Sequence, residues 1–197
     1  MFKKVLALFL LPVLFLSGCG KQAEAPVSDA PEIILYDAES HRFEDPLLPY
    51  GTGVEDAYKL MECENDIPSD AQQTFQAQFE PIRSLYGAEV ITSAKFTDGV
   101  ISAVSYRPAV LPDSDDEVFE EAIGWNRRFL ELFGEDGYQT QELGSWTDAA
   151  DVTIPQDGLM TRSAWILGKP GEQTKLVLTL TAYPDQKPSY NILISKV

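Results

Sequence analysis

The sequence predicts an α+β domain, an antiparallel sheet with two helices packed on one face, and three observations carry that expectation. Val54, Ala57, Tyr58 and Met61 fall at i, i+3, i+4 and i+7, one face of a helix. Val118, Phe119, Ala122, Ile123, Phe129, Leu130 and Phe133 form a second, broader apolar face. Each helical segment is followed by strand candidates joined through short turns, the order expected of an antiparallel sheet with its helices segregated to one side. A duplicated helix-plus-meander unit would produce the same order, although the two halves share no residue-level identity.

Taken in order, Glu32–Tyr36 is the first strand candidate, and Phe43–Tyr50 is extended and punctuated by proline. Gly51-Thr52-Gly53 is a turn opening a helix over about Val54–Cys63. Thr74–Phe79 alternates strictly and favours a strand, while Ser69-Asp70-Ala71-Gln72 before it resembles a capping box and argues for a helix. Strand is the preferred reading. Glu89–Phe96 and Val100–Tyr106 flank Thr97-Asp98-Gly99, and Asp-Gly between alternating segments predicts a β-hairpin. Ser114 with Glu117 fits a capping box for the long helix, the acids around them suit its positive end, and Gly134 fits its stop. Leu159–Leu167, Lys175–Tyr183 and Tyr190–Val197 complete the strands, joined by Gly168-Lys169-Pro170-Gly171 and Pro184-Asp185-Gln186-Lys187-Pro188.

At 197 residues, 44% hydrophobic and 23% charged, the chain has a globular composition and a length that suits one domain. It carries 15 Lys+Arg against 31 Asp+Glu. The first eighteen residues hold two lysines and no acid, so their removal takes the formal charge from −16 to −18. Such a body is repelled by phosphate backbones and anionic head groups, which argues against nucleic-acid binding and electrostatic membrane docking. On net charge alone, cationic partners are the ones it favours.

Met1-Phe2-Lys3-Lys4 is a short positive segment, and Val5–Leu16 is apolar apart from Pro12. This is the layout of a secretory signal peptide, and the apolar run falls short of the roughly twenty residues a membrane span needs. Leu16-Ser17-Gly18-Cys19 follows and resembles the lipobox of bacterial lipoproteins. The resemblance implies cleavage between Gly18 and Cys19 and a diacylglycerol thioether on Cys19. A plain signal peptide cut after Ala23-Glu24-Ala25 is the competing reading, but it would leave Pro26 first. Gly20–Pro31 is polar, small and Pro-containing, a flexible tether spanning roughly 20 Å. The expected organisation is therefore residues 1–18 as signal peptide, 19–31 as lipidated tether and 32–197 as one α+β domain. Through Pro49-Tyr50-Gly51-Thr52-Gly53-Val54-Glu55-Asp56-Ala57, a turn opening a short helix, the domain also resembles small two-layer α/β proteins. These are of the type of the outer-membrane assembly lipoprotein BamE and the β-lactamase inhibitor protein, and the likeness implies architecture alone.

Catalytic equipment is sparse. His41 is the one histidine, too few for a His-rich metal site, and it lies in a polar, acid-rich stretch that suits a surface loop. Cys63 has no partner once Cys19 is lipidated, and no histidine lies near it in sequence to generate a thiolate. Asp113-Ser114-Asp115-Asp116-Glu117 has oxygen ligands for Ca²⁺, but Val118 stands where an EF-hand loop needs glycine, and helix capping is the simpler account. Trp125, Trp146, Trp165, Tyr138, Tyr183 and Tyr190 are read first as core, with a sugar- or peptide-binding surface as the alternative. No Gly-rich phosphate loop, nucleophile elbow or CxxC is present, and no cofactor or metal is expected.

The expected function is a lipid-anchored, non-enzymatic binding module on the extracytoplasmic face of a bacterial membrane. Its partner would be an envelope protein or a small ligand, with the cell membrane favoured over the outer membrane because Gly20 follows the cysteine. The alternatives are a carboxylate-based hydrolase of envelope carbohydrate or peptide, and an inhibitor or immunity protein for a basic partner.

Overall fold

A computed structural model describes residues 32–63, 67 and 74–197. Among these residues the order is β1 (Tyr36–Asp37), β2 (Arg42–Phe43), α1 (Val54–Leu60), β3 (Phe75–Leu85), β4 (Ala88–Thr97), β5 (Val100–Pro108), α2 (Asp115–Phe133), β6 (Tyr138–Thr140), β7 (Leu159–Leu167), β8 (Thr174–Tyr183) and β9 (Gln186–Lys196). Two short 3₁₀ turns, Glu142–Ser145 and Ala149–Asp151, lie between β6 and β7. The chain is a mixed α+β protein: β3–β9 form one antiparallel sheet of seven strands in the order β3-β4-β5-β9-β8-β7-β6. The meander β3-β4-β5 meets the meander β7-β8-β9 through their last strands, with Ala103 opposite Ser195 and Tyr106 opposite Ile192.

Local chemistry accounts for the elements. Asp98 and Gly99 both take positive φ (53° and 76°), the two-residue turn whose twist matches the flanking strands. Tyr86 and Gly87 (46° and 86°) make the same turn between β3 and β4. Ser114 accepts from the Glu117 amide and Glu117 reaches back to the Ser114 amide, closing the capping box of α2. Gly134, at φ 73°, ends that helix.

Several elements differ from expectation. The first strand candidate is reduced to a bridge at Ile33 and the two residues of β1, and the 43–50 stretch keeps only Phe43 as strand. In that stretch the Asp45 carboxylate, not a neighbouring strand, takes the amides of Leu47 and Leu48. Helix α1 stops at Leu60 rather than Cys63, where Glu62 turns left-handed (φ 57°). Strand β3 runs on to Leu85, past Pro81. Residues 79–81 of β3 stand opposite Thr92 alone, so the missing Pro81 amide falls in an irregular stretch of an edge strand, where it costs no ladder bond. Strand β9 begins at Gln186, four residues before the expected start, because Pro184-Asp185 alone make the turn. The 69–72 capping-box segment lies outside the described residues.

One face of the sheet carries the core. Phe79, Tyr106, Ile194, Leu178 and Trp165 are fully buried there. Helix α2 lays Trp125 and Phe129 against it, with Phe129 5.6 Å from the Trp165 ring, and α1 lays Tyr58 5.4 Å from Phe79. Beside α2 runs the segment from Ile33 to Leu48, whose Ile33, Leu35, Phe43 and Leu48 are completely buried and whose Phe43 ring lies 5.0 Å from that of Phe133. It is pinned by Ile33 N–H to the Ser84 carbonyl (2.7 Å) and Phe43 N–H to the Thr174 hydroxyl (2.7 Å).

Candidate functional site

The tightest constellation of charged groups is sealed. Asp45, on the loop after β2, accepts from Arg83 Nη1 (2.7 Å) and Nη2 (3.1 Å) on β3 and from the Tyr106 hydroxyl (2.7 Å) on β5. Its Oδ1 also accepts from the amides of Leu47 and Leu48, and both Asp45 and Arg83 are at most 1% exposed. Burial, reinforced by the Asp45 charge, pushes the Tyr106 phenol well above its ordinary range. Five donors converge on a carboxylate that no solvent or substrate reaches, so this cluster fastens the 45–48 loop to the sheet and does no chemistry.

A cleft of about 480 Å³ opens between α2 and the ends of β4 and β5, with Glu89, Gly124, Trp125, Arg128 and Tyr190 in its lining. The Tyr190 hydroxyl accepts from Trp125 Nε1 (3.2 Å) and donates to Glu121 (2.8 Å). Arg128 lies 5.4 Å from the Tyr86 ring and 5.6 Å from that of Trp125. Burial and the hydrogen bond to Glu121 raise the Tyr190 phenol, so it stays protonated at neutral pH and serves as a donor, not a base.

Among the described residues, no helix packs on the second face of the sheet. Strand register puts Gln76, Lys95, Ala103, Ser195, Lys175 and Ile166 in one row across it. Gln78, Ser93, Ser105, Leu193, Val177 and Ala164 form the next row. Beyond them Ile91 faces Arg107, and Asn191, Thr179 and Arg162 lie in line. Gln78, Lys95, Arg107, Met160, Arg162 and Asn191 are exposed. On this face lies a groove of about 550 Å³, walled by Gln78, Ser93, Ser105, Arg107, Ser189 and Asn191. Arg107 Nη2 donates to Gln78 Oε1 at 2.6 Å.

The strands that build this face are poor in acids. Of the 31 acids in the chain, the seven strands of the sheet hold two, Glu80 and Glu89. Glu89 opens β4 and Glu80 stands in the irregular part of edge strand β3. Among the described residues the ion pairs are Arg42–Glu44 and Arg83–Asp45, so Lys95, Arg107, Arg162 and Lys175 have no carboxylate within 4 Å. Net charge points to cationic partners, whereas this face presents Lys95, Arg107, Arg162 and Lys175 with no described carboxylate within 4 Å.

The residues singled out from sequence are scattered. Gly18 and Cys19 lie outside the described residues. His41 is exposed in the β1–β2 turn, its Nδ1 2.8 Å from the Tyr36 hydroxyl, while neighbouring Ser40 donates to Asp37 and not to the imidazole. Cys63 is half-buried, unpaired, and donates to the Met61 carbonyl (3.1 Å). Asp113–Glu117 cap α2. Trp125, Trp165 and Tyr190 are buried, Tyr138 and Trp146 pack half-buried against the core, and Tyr183 is 40% exposed. Arg107 and its neighbours were missed. The available signal was the loss of acids from the strand candidates of a chain otherwise rich in them. Comparison of the chain with protein-family models, with curated proteins and with solved structures finds no significant match.

Proposed function

We propose that the chain is a bacterial lipoprotein, held through Cys19 on the extracytoplasmic face of the membrane, whose domain is a non-enzymatic binding module. Leu16-Ser17-Gly18-Cys19 after a charged and an apolar segment supports the anchor, and the polar 20–31 stretch supports a tether. The cell membrane is the favoured site. The observation that carries the module reading is the sheet face opposite the helices. Six strand spacings of roughly 4.8 Å make it about 29 Å wide; with about 20 Å along the strands it offers on the order of 600 Å². That is comparable with the roughly 800 Å² each partner contributes to a standard protein–protein interface. The buried Asp45–Arg83–Tyr106 cluster is supporting structure beneath that platform. The matching order of the two meanders about the β5–β9 junction supports descent from a duplicated helix-plus-meander unit.

The test of the anchor is intact mass and membrane fractionation of the native chain beside Cys19→Ala. The expected result is a diacylglyceryl adduct and membrane retention, both lost in the variant. A soluble native chain beginning at Pro26 would overturn it. For the module, a photo-crosslinking residue at Ser105, in the middle of the open face, is expected to capture a defined envelope partner in cells. Absence of any Ser105-dependent product would sink this reading.

A further inference from the structure

We infer that the sheet face opposite the helices, centred on the Arg107 groove, docks a carboxylate-rich segment of a partner protein; this rests on the module reading above. Among the described residues, four cations stand on it with no carboxylate within 4 Å: Lys95, Arg107, Arg162 and Lys175. Their placement is regular. Lys95 on β4 and Lys175 on β8 share one row, three strand spacings or about 14 Å apart. Arg107 on β5 and Arg162 on β7 are likewise three spacings apart, four residues or about 14 Å further along the strands. The space between is filled by Ser93, Ser105, Leu193 and Val177, small or short side chains that let a partner approach the sheet closely.

Strand propensity does not explain this composition. Lysine is disfavoured in strands as glutamate is, yet the sheet keeps its cations and sheds its acids. An arginine fork is the group suited to bidentate carboxylate binding. Arg107 spends one donor on Gln78 and stands among the hydroxyls of Ser93, Ser105 and Ser189 and the amide of Asn191, groups that also pair with peptide backbone. The size of the anion follows from its surroundings. The molecule as a whole carries a formal charge of −16, so a long polyanion that overran the four cations would meet net repulsion. A bounded acidic segment, with its carboxylates spread over about 14 Å, fits both the attraction and the limit.

The test uses the full chain in detergent micelles and a fluorescent glutamate decapeptide as the probe, read by anisotropy at low and at 0.15 M salt. The expected result is binding that weakens with salt, and about tenfold weaker binding, some 1.4 kcal/mol, in Arg107→Glu/Arg162→Glu. Lys95→Glu/Lys175→Glu should act likewise, while Lys169→Glu, in the β7–β8 turn, should bind as the native chain does. Thermal melts identify any reversal that fails to fold, and the other pair then decides. Failure of the decapeptide to bind, indifference of binding to both reversals, or equally tight binding of a polyphosphate chain would overturn the inference. A Ser105 crosslink that forms equally well in the charge-reversed chains would overturn it while leaving the module reading in place.

Discussion

Replacing Asp45 by Asn removes one charge from the buried cluster while keeping its shape. The amide oxygen of Asn can still accept from Leu47 and Leu48, whose amides lie 2.8 and 3.0 Å from Oδ1 in the native chain. The NH₂ group must then face Arg83 or the Tyr106 hydroxyl, both of which donate to Asp45. The Arg83 guanidinium, 1% exposed, is left without its counter-charge. Breaking a buried pair from one side costs about 3–5 kcal/mol, most of it the uncompensated charge. For a domain of this size each kcal/mol moves Tm by about 2–4 °C, so Asp45→Asn should melt roughly 6–20 °C lower. The assay is thermal and urea unfolding followed by tryptophan fluorescence, for which the buried Trp165 is a natural reporter. The double variant Asp45→Asn/Arg83→Met removes the stranded cation and should recover about 2 kcal/mol or more of the single variant's loss. A loss under about 1 kcal/mol for Asp45→Asn, or strict additivity of the two changes, would refute the argument that Asp45 balances Arg83.

The phenols of Tyr50, Tyr86, Tyr106 and Tyr190 are all raised above 10.0 in the folded protein, chiefly by burial. The folded state therefore holds these protons longer than the unfolded chain, and stability should be complete below pH 10 and fall as pH climbs beyond it. Phenolate absorbance and circular dichroism should change together there; ionisation of these four without unfolding would contradict the burial. Ser114→Ala breaks the capping box of α2 and should cost about 1 kcal/mol, read by urea denaturation; an unchanged midpoint would show the box to be idle. At Gly137 (φ 70°) an added Cβ would meet the Ile166 carbonyl oxygen. Gly137→Ala should thus cost roughly 1–3 kcal/mol and loosen β6 first, visible as faster amide exchange at Tyr138–Thr140.

Local pattern determined much of this protein. The Asp98-Gly99 hairpin, the Ser114/Glu117 box and Gly134 stop, and the strand at 159–167 arise from interactions within a few residues, and each is where the sequence placed it. The lipobox reading of Cys19 likewise rests on contiguous residues, and it stands as a proposal. Strand β3 beyond Pro81 was hidden because proline ordinarily ends a strand, and only the irregular pairing opposite Thr92 on an edge strand makes it harmless. Short β6 was hidden too: Tyr138–Thr140 has no pattern of its own and exists because β7 offers a free edge.

The site depended on tertiary structure for a plainer reason. Alternation sets Lys95, Arg107 and Lys175 on the side opposite Phe96, Tyr106 and Leu176, and Arg162 opposite Thr161 and Ser163, but does not show that the four share a face. That follows from registers joining strands far apart in sequence, Ala103 with Ser195 and Arg162 with Thr179, and from both helices choosing the other side. Asp45, Arg83 and Tyr106, separated by 38 and 61 residues from the carboxylate, meet for the same reason. Sequence determines which residues alternate and where the chain turns, because those are short-range matters of backbone sterics. Which alternating faces come together is decided by burial of the whole apolar surface at once, and that is a property of the folded chain alone.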